Sequence, residues 1–341
     1  MGITSMQDNQ EMIDKGQMDR NLALEAVRVT EAAALAASRA VGMGDEKYAD
    51  RLAVDAMRAA FDTLAISGRV VIGEGERDEA PMLYIGEEVG AGGPEVDIAL
   101  DPLEGTTITA KGGLNAITVM AMTDKDGFLN APDTYMEKMA VGRDIPADVL
   151  DLDAPMGDVL KKIASATDRR IADIMVCVMD RPRHDTIISQ IREAGARISL
   201  IQDGDVSAIV AASEAQETGI DLFVGTGGAP EGVLSAAALQ CVDGHMLGRL
   251  VFRNDDERAR AEKWGVTDFN KIYTTDELAK PDNVMFAATG VTNGPMMPGV
   301  KRYAGGAKTH SIVMRSKSGT TRRIESTHNF DRKTGFLPQD E

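Results

Sequence analysis

The chain has 341 residues, 43% of them hydrophobic and 27% charged, which fits one large or two ordinary folded domains and excludes a largely disordered or collagen-like protein. Acidic residues outnumber basic ones 54 to 37, a formal net charge of -17, so nucleic acid and anionic lipid are poor partners. An anionic substrate then needs local Arg groups, helix N-termini or divalent cations to reverse the field.

Met1–Met18 is polar, without the basic and apolar regions of a signal peptide, and no apolar run reaches the roughly 18–20 residues that cross a bilayer. The expectation is a cytoplasmic protein with no membrane association, its residues 1–18 a disordered tail. Arg20–Val41 and Lys47–Ile66 read as two amphipathic helices, broken at Gly42, Gly44 and Asp45. Arg69–Ile72, Glu95–Leu100 and Asn115–Met122 read as strands separated by Gly-rich turns, an α+β first half. Beyond Pro155 the rhythm becomes α/β: strands Ile174–Met179, Arg197–Ile201 and Asp221–Val224 alternate with helices Asp185–Glu193 and Glu231–Cys241. A domain boundary is expected near Asp151–Pro155, dividing 19–153 from 154–332, with 333–341 a second tail. Lys263–Pro281 reads as irregular, and Gly290–Gly306 as a loop placed to lie over a site.

The sharpest motif is Asp101-Pro102-Leu103-Glu104-Gly105-Thr106-Thr107, directly after a strand. Asp and Glu oxygens are hard ligands suited to Mg2+ or Mn2+, and Pro102 stiffens the turn so that the Leu103 carbonyl can also face an ion. Gly105-Thr106 would open a helix whose free N–H groups attract an anion. The same residues also fit a capped strand-to-helix turn with solvated acids. A second acidic group, Gly73-Glu74-Gly75-Glu76-Arg77-Asp78-Glu79, follows the strand Arg69–Ile72, and Glu74 is its best-placed carboxylate. A third, Gly225-Thr226-Gly227-Gly228-Ala229-Pro230-Glu231-Gly232, lacks the Lys-Ser/Thr ending of a P-loop, while Pro230 suits helix initiation and Glu231 projects from a Gly-lined loop. Arg181-Pro182-Arg183 suits a phosphate and Asp203-Gly204-Asp205 suits sugar hydroxyls, both beyond strands; a solvated basic turn and an Asp helix cap are the plainer readings. Cys177 and Cys241 read as core residues, and the four histidines as incidental.

Taken in order, these motifs closely resemble those of class II fructose-1,6-bisphosphatases, including the bifunctional fructose-1,6-/sedoheptulose-1,7-bisphosphatases of photosynthetic bacteria. The resemblance rests on Val71-Ile72-Gly73-Glu74-Gly75-Glu76, Asp78-Glu79-Ala80-Pro81-Met82-Leu83-Tyr84, Asp101 to Thr106, Pro182-Arg183-His184-Asp185, Asp203-Gly204-Asp205-Val206 and Gly227 to Gly232, and spans about Asp19 to Phe330. The Asp101–Thr106 segment is also similar to the signature of the wider lithium-sensitive sugar phosphatases. The resemblance implies a layered αβαβα fold with a metal-binding first domain and a sugar-phosphate-binding second domain. Metal ligands implied by it are Asp50, Glu74, Asp101, Leu103, Glu104 and Glu231. Substrate contacts are Glu104, Gly105, Thr106, Tyr135, Arg181, Pro182, Arg183, Asp203, Gly204, Asp205, Gly228 and Glu231, and the catalytic residues are Asp50, Thr106 and Glu74. Relatives often carry Lys at the Arg181 position, and Glu46-Lys47-Tyr48 ahead of Asp50 is a second departure.

The implied reaction is Mn2+- or Mg2+-assisted hydrolysis of the C1 phosphate of fructose 1,6-bisphosphate, and also of sedoheptulose 1,7-bisphosphate, in gluconeogenesis or the Calvin cycle. Thr106 and Asp50 would activate the water, Arg181 and Arg183 would hold the distal phosphate, and the enzyme would be a homo-oligomer, dimer or tetramer. Two competing readings are an inositol-type monophosphatase, which needs no distal grip, and a non-catalytic sugar-phosphate sensor, which needs no Asp50–Thr106 pair.

Overall fold

A computed structural model describes residues 22–75 and 82–332. The expected tails, and the second acidic group from Glu76 to Pro81, lie outside the described residues. Helix α1 (22–37) is followed by α2 (Glu46–Phe61), which starts where Asp45 accepts a hydrogen bond from the Tyr48 N–H and Glu46 adds charge to the first turn. Next come β1 (Ser67–Ile72), β2 (Glu88–Val89), β3 (Glu95–Glu104), the short helix α3 (Thr106–Ala110) and β4 (Ile117–Asp124). Then β5 (Tyr135–Val141), α4 (Met156–Thr167), β6 (Met175–Met179), α5 (Asp185–Ala194), β7 (Arg197–Ile201), α6 (Asp205–Ser213), α7 (Ala215–Thr218), β8 (Leu222–Gly228), α8 (Ala229–Gln240), β9 (His245–Val251) and α9 (Asp255–Lys263) follow. Lys263–Pro281, expected to be irregular, holds β10 (Ile272–Thr274) and α10 (Thr275–Leu278), the latter started by a capping box of Thr274 and Glu277. Both are too short to show a period. The described chain ends with β11 (Met285–Gly290), β12 (Lys301–Tyr303), β13 (Gly306–Arg315) and β14 (Thr320–Asn329).

The strands form two mixed sheets, one of eight strands in the order β12-β13-β11-β4-β3-β1-β2 with β14 on β13, and one of six in the order β10-β9-β5-β8-β6-β7. Both faces of the first sheet are apolar, as period-two alternation requires of a sheet covered on two sides. On β4, Ile117, Val119 and Ala121 turn one way and Met120 and Met122 the other. The second set packs with Ala33, Ala37, Met57 and Phe61 of α1 and α2. The first meets α6 and α8, which pack on their far side against Met136, Ala140, Cys177 and Phe223 of the second sheet. Helices α4 and α5 cover the outer face of that sheet through Val159, Ile163, Ile188 and Ile191. The order is therefore α, β, α, β, α, the expected α/β layering. Nine of the twelve residues of α8 are buried, which is why Ala dominates it: large side chains do not fit between two sheets.

The passage between sheets does not coincide with Asp151–Pro155. β5 already lies in the second sheet, and β11 to β14 return to the first. Pairing between distant strands leaves no mark in local composition, so the expected cut had nothing to register it.

Candidate active site

Strand β3 runs on through the acidic motif instead of ending at Leu100. Its register against β4 is Asp101 opposite Val119 and Glu104 opposite Ile117, three steps on one strand for two on the other. The extra residue is a bulge at Pro102-Leu103, where a proline without an N–H is tolerated. In a regular strand, residues three apart face opposite sides; the bulge turns both carboxylates to the same side. The Asp101 carboxylate accepts the Leu103 N–H at 2.9 Å, which fixes its rotamer. Gly105 then turns the chain at φ 94°, where a Cβ would meet Ile108 at 2.7 Å, and Thr106 begins α3. That helix has five residues.

Six more elements contribute to the same cleft, of about 460 Å³. Asp50 comes from α2, Glu74 from the end of β1, Arg181 and Arg183 from beyond β6, and Glu231 from the first turn of α8. Asp203 and Asp205 follow β7, and Tyr135 opens β5. Ligand sites collect outside strand carboxyl ends in this way in open α/β sheets. Of the residues expected to contribute, Pro182 and Gly204 do not line the cleft; Asp50, Glu74, Asp101, Leu103, Glu104, Gly105, Thr106, Tyr135, Arg181, Arg183, Asp203, Asp205, Gly228 and Glu231 do. Thr106 and Asp50 share the cleft without a hydrogen bond between them. The loop Gly290–Gly306 does not cover it. Its Asn293 carbonyl instead accepts the Asn115 N–H at 2.8 Å, and Met296 and Met297 pack into the core.

The acids hold one another's protons on. Burial, then the charges of Asp50 and Glu231, push Glu74 up to about 8. Burial, then Asp205, push Glu231 to about 7 against the opposing charge of Lys138. Asp101 is raised well above the carboxylate range by burial and by Glu74 and Glu231, and Glu104 by burial and by Asp205 and Asp101. Asp50 is raised by burial. Glu104 Oε2 and Glu231 Oε2 are buried and accept no hydrogen bond. A low-dielectric cluster of like charges with orphaned oxygens is an arrangement that lacks cations.

The same cleft also carries positive charge, from Arg181 and Arg183. Arg183 Nε donates to the Thr226 carbonyl at 2.8 Å, and its guanidinium lies 5.2 Å from the centre of the Tyr135 ring. The Arg181–Arg183 turn is tied down by His184, whose Nδ1 lies 2.8 Å from the Met179 carbonyl while Nε2 accepts the Thr226 N–H at 2.8 Å. Burial lowers the His184 pKa, in keeping with a neutral ring that donates from Nδ1 and accepts at Nε2. His184 is thus a bridge between β6 and β8, and not incidental.

Over residues 20–328 the chain matches the family model described as "Bacterial fructose-1,6-bisphosphatase, glpX-encoded". It is 44% identical over 330 residues to the fructose-1,6-bisphosphatase 1 class 2 of Escherichia coli (strain K12), covering 93% of this chain and 97% of the relative. The fructose-1,6-bisphosphatase class 2 of Shigella flexneri gives the same figures. The chain belongs to the class II fructose-1,6-bisphosphatase family. The family is one of metal-dependent phosphatases, and the donor set here suits a hard divalent cation: carboxylate oxygens, two of them buried without partners. Among the described residues, no three acidic, His or Cys side chains already close on one point, so these donors converge but stand open.

Two residues bearing on the cleft are not among those expected: one behind its wall and one in its lining. Lys138 on β5 is fully buried; its Nζ donates to Asp205 Oδ2 and, at 2.8 Å, to the Gly228 carbonyl. One oxygen of Asp205, Oδ2, is therefore taken up by a resident cation. The signal was present in Met136-Glu137-Lys138-Met139-Ala140, where a Lys interrupts an inward apolar face. The second is Asp133, an exposed carboxylate at the rim just before β5. Cys177 and Cys241 are buried, with burial pushing both thiols up to about 12, as core residues do. Among the described residues, no helix is long and apolar enough to cross a membrane.

Proposed function

We propose that this chain hydrolyses fructose 1,6-bisphosphate at C1, releasing inorganic phosphate and fructose 6-phosphate, and that sedoheptulose 1,7-bisphosphate is a second substrate. The observation that carries this reading is one cleft lined both by desolvated carboxylates and by two guanidinium groups, a combination that suits an anionic bisphosphate held by cations and Arg together. Glu74, Asp101, the Leu103 carbonyl, Glu104 and Glu231, with Asp50 at the edge, are the residues that would hold Mn2+ or Mg2+. When bound, the cation supplies positive charge against the phosphoryl oxygens.

The remaining roles fall to the chain itself. The Thr106 hydroxyl accepts a hydrogen bond from the attacking water and passes its own hydrogen bond to Asp50, so the two orient that water and draw off its proton. Arg181 and Arg183 bind the phosphate that does not react, aligning the C1 ester with the carboxylates. Gly228 lets the β8–α8 corner approach the substrate closely. Asp203 faces Arg181 and Arg183 and balances their charge. We place the enzyme in the cytoplasm as a homo-oligomer, dimer or tetramer.

A phosphate-release assay with fructose 1,6-bisphosphate, sedoheptulose 1,7-bisphosphate and inositol 1-phosphate, each with Mn2+ and with Mg2+, tests this. Turnover of the two bisphosphates well above the inositol ester is expected. Preference for the inositol ester would overturn the distal-phosphate role, and binding without turnover would make the chain a sensor.

A further inference from the structure

Two guanidinium groups, not one, rest against the Tyr135 ring. Arg183, in the cleft, stands 5.2 Å from the ring centre, and Arg253, which does not line the cleft, stands 4.7 Å from it. Arg253 lies two residues beyond Val251, which is the cross-strand partner of Tyr135 on β9. It is held in place from behind. Its Nε donates to Glu257 Oε1 at 2.5 Å and its backbone N–H to Glu257 Oε2 at 2.7 Å. The hydroxyl of Thr134, the neighbour of Tyr135, lies 2.9 Å from the same Oε2 and 2.7 Å from the Val251 carbonyl. Glu257 is 1% exposed, so this clasp sits on a fixed point while its cation faces the ring.

We propose that Arg253 is a positioning residue for the distal phosphate, acting through Tyr135. This rests on the reading that Arg181 and Arg183 hold that phosphate. Arg183 spends Nε on the Thr226 carbonyl and has its terminal nitrogens left for an anion. Where those nitrogens point depends on the ring they lie against, and the ring is steadied by Arg253. A cation against the ring face costs nothing to reorganise when substrate arrives, because the clasp is already formed.

Steady-state kinetics on fructose 1,6-bisphosphate and on fructose 1-phosphate, which has no second phosphate, test the proposal in the wild type, Arg253→Gln, Arg253→Lys, Arg183→Ala and the Arg183→Ala/Arg253→Gln double variant. Arg253 is half exposed, and in Arg253→Gln the buried Glu257 keeps the backbone N–H of residue 253 and the Thr134 hydroxyl; circular dichroism and thermal unfolding of each variant check that the fold is kept. Arg253→Gln is expected to raise KM for the bisphosphate roughly 3–30-fold, with kcat largely kept and a smaller change on the single-phosphate ester. Arg253→Lys, which keeps a cation against the ring, is expected to recover part of the loss, and the double variant to be little worse than Arg183→Ala alone. An equal KM rise on both substrates, a loss confined to kcat, a Lys variant no better than Gln, or multiplicative losses in the double variant would each overturn it. A silent Arg253→Gln beside an impaired Arg183→Ala overturns this inference alone. If Arg183→Ala also leaves the bisphosphate KM unchanged, the distal-phosphate reading falls and takes this one with it.

Discussion

Glu104 Oε1 accepts the backbone N–H of Val206 at 2.7 Å, across 102 residues of sequence. The carboxylate at the end of β3 in the first sheet therefore satisfies one of the orphan donors in the first turn of α6, which packs on the second sheet. Its other oxygen, Oε2, is buried and unpartnered. One side chain both fastens the two layers together and leaves a buried carboxylate oxygen open to the cleft.

The two duties separate on substitution. Glu104→Gln keeps an oxygen for the Val206 N–H and removes the charge; Glu104→Ala removes both. Thermal unfolding of cation-free protein should find Gln close to wild type and Ala lower, by about 0.5–2 kcal/mol as for a lost helix cap. Calorimetric titration with Mn2+ should find both weakened. Wild-type Mn2+ affinity in Glu104→Gln would remove this residue from the ligand set.

Gly228 offers a test that leaves the backbone alone. Its φ is -64°, open to any L-residue, yet a Cβ there would stand 1.8 Å from Glu231 Oε2. Gly228→Ala must push the Glu231 carboxylate aside. The expected outcome is a folded protein with weakened Mn2+ binding and reduced turnover, read from circular dichroism, calorimetry and phosphate release. Unchanged affinity would show that Glu231 does not hold the cation from its present position.

Thr106 and Asp50 line the cleft without a hydrogen bond between them, so the partnership proposed for them would form only with substrate and cation bound. Thr106→Val keeps the β-branched shape and deletes the hydroxyl. Turnover at saturating Mn2+ should fall by ~10²–10⁴, the usual worth of a positioned proton-transfer group, with substrate affinity kept. Asp50→Asn should add little on top if the two act as a unit. Multiplicative losses in the double variant would mean that they act independently.

The raised acids give the cation-free protein a pH signature. Glu74, near 8, and Glu231, near 7, keep protons in the folded state that the unfolded chain releases around the ordinary value of 4.5. Their contribution to stability is complete below that value. It is lost as pH climbs through the folded values, since there the unfolded chain holds fewer protons than the native one. A divalent cation favours the deprotonated forms. The gap in Tm between Mn2+-saturated and chelated protein should therefore widen from pH 5 to 8, and Glu74→Gln/Glu231→Gln should flatten it. A gap constant over that range would contradict the shared acidic site.

Much of this cleft is legible residue by residue because strand ends followed by Gly, Pro and acid are local patterns. Asp101-Pro102-Leu103-Glu104, Arg181-Pro182-Arg183 and Asp203-Gly204-Asp205 each announce themselves within a few positions. The bulge that aims Asp101 and Glu104 the same way exists only in the register with β4. Lys138 meets Asp205 only because α6 packs on β5, and Arg253 meets Tyr135 only because β5 pairs with β9. Sheet order is a non-local property, and the same blindness placed a boundary at Asp151–Pro155 where the chain does not change sheets. The local patterns gave the parts; partner choice came from elsewhere in the chain.

The return of β11 to the first sheet also sets a timetable. β4 pairs on one edge with β3 and on the other with β11, yet every strand of the second sheet is encoded between them. A ribosome adding about 5–20 residues per second leaves that edge of β4 open for many seconds. The layer that bears Glu74, Asp101 and Glu104 is thus among the last to close, and a nascent chain has to keep an unpaired hydrophobic strand from other chains until it does. Slow, non-local closure of this kind makes the protein's yield in the cell sensitive to holdase capacity and to translation speed through residues 125–284, at fixed stability of the finished fold.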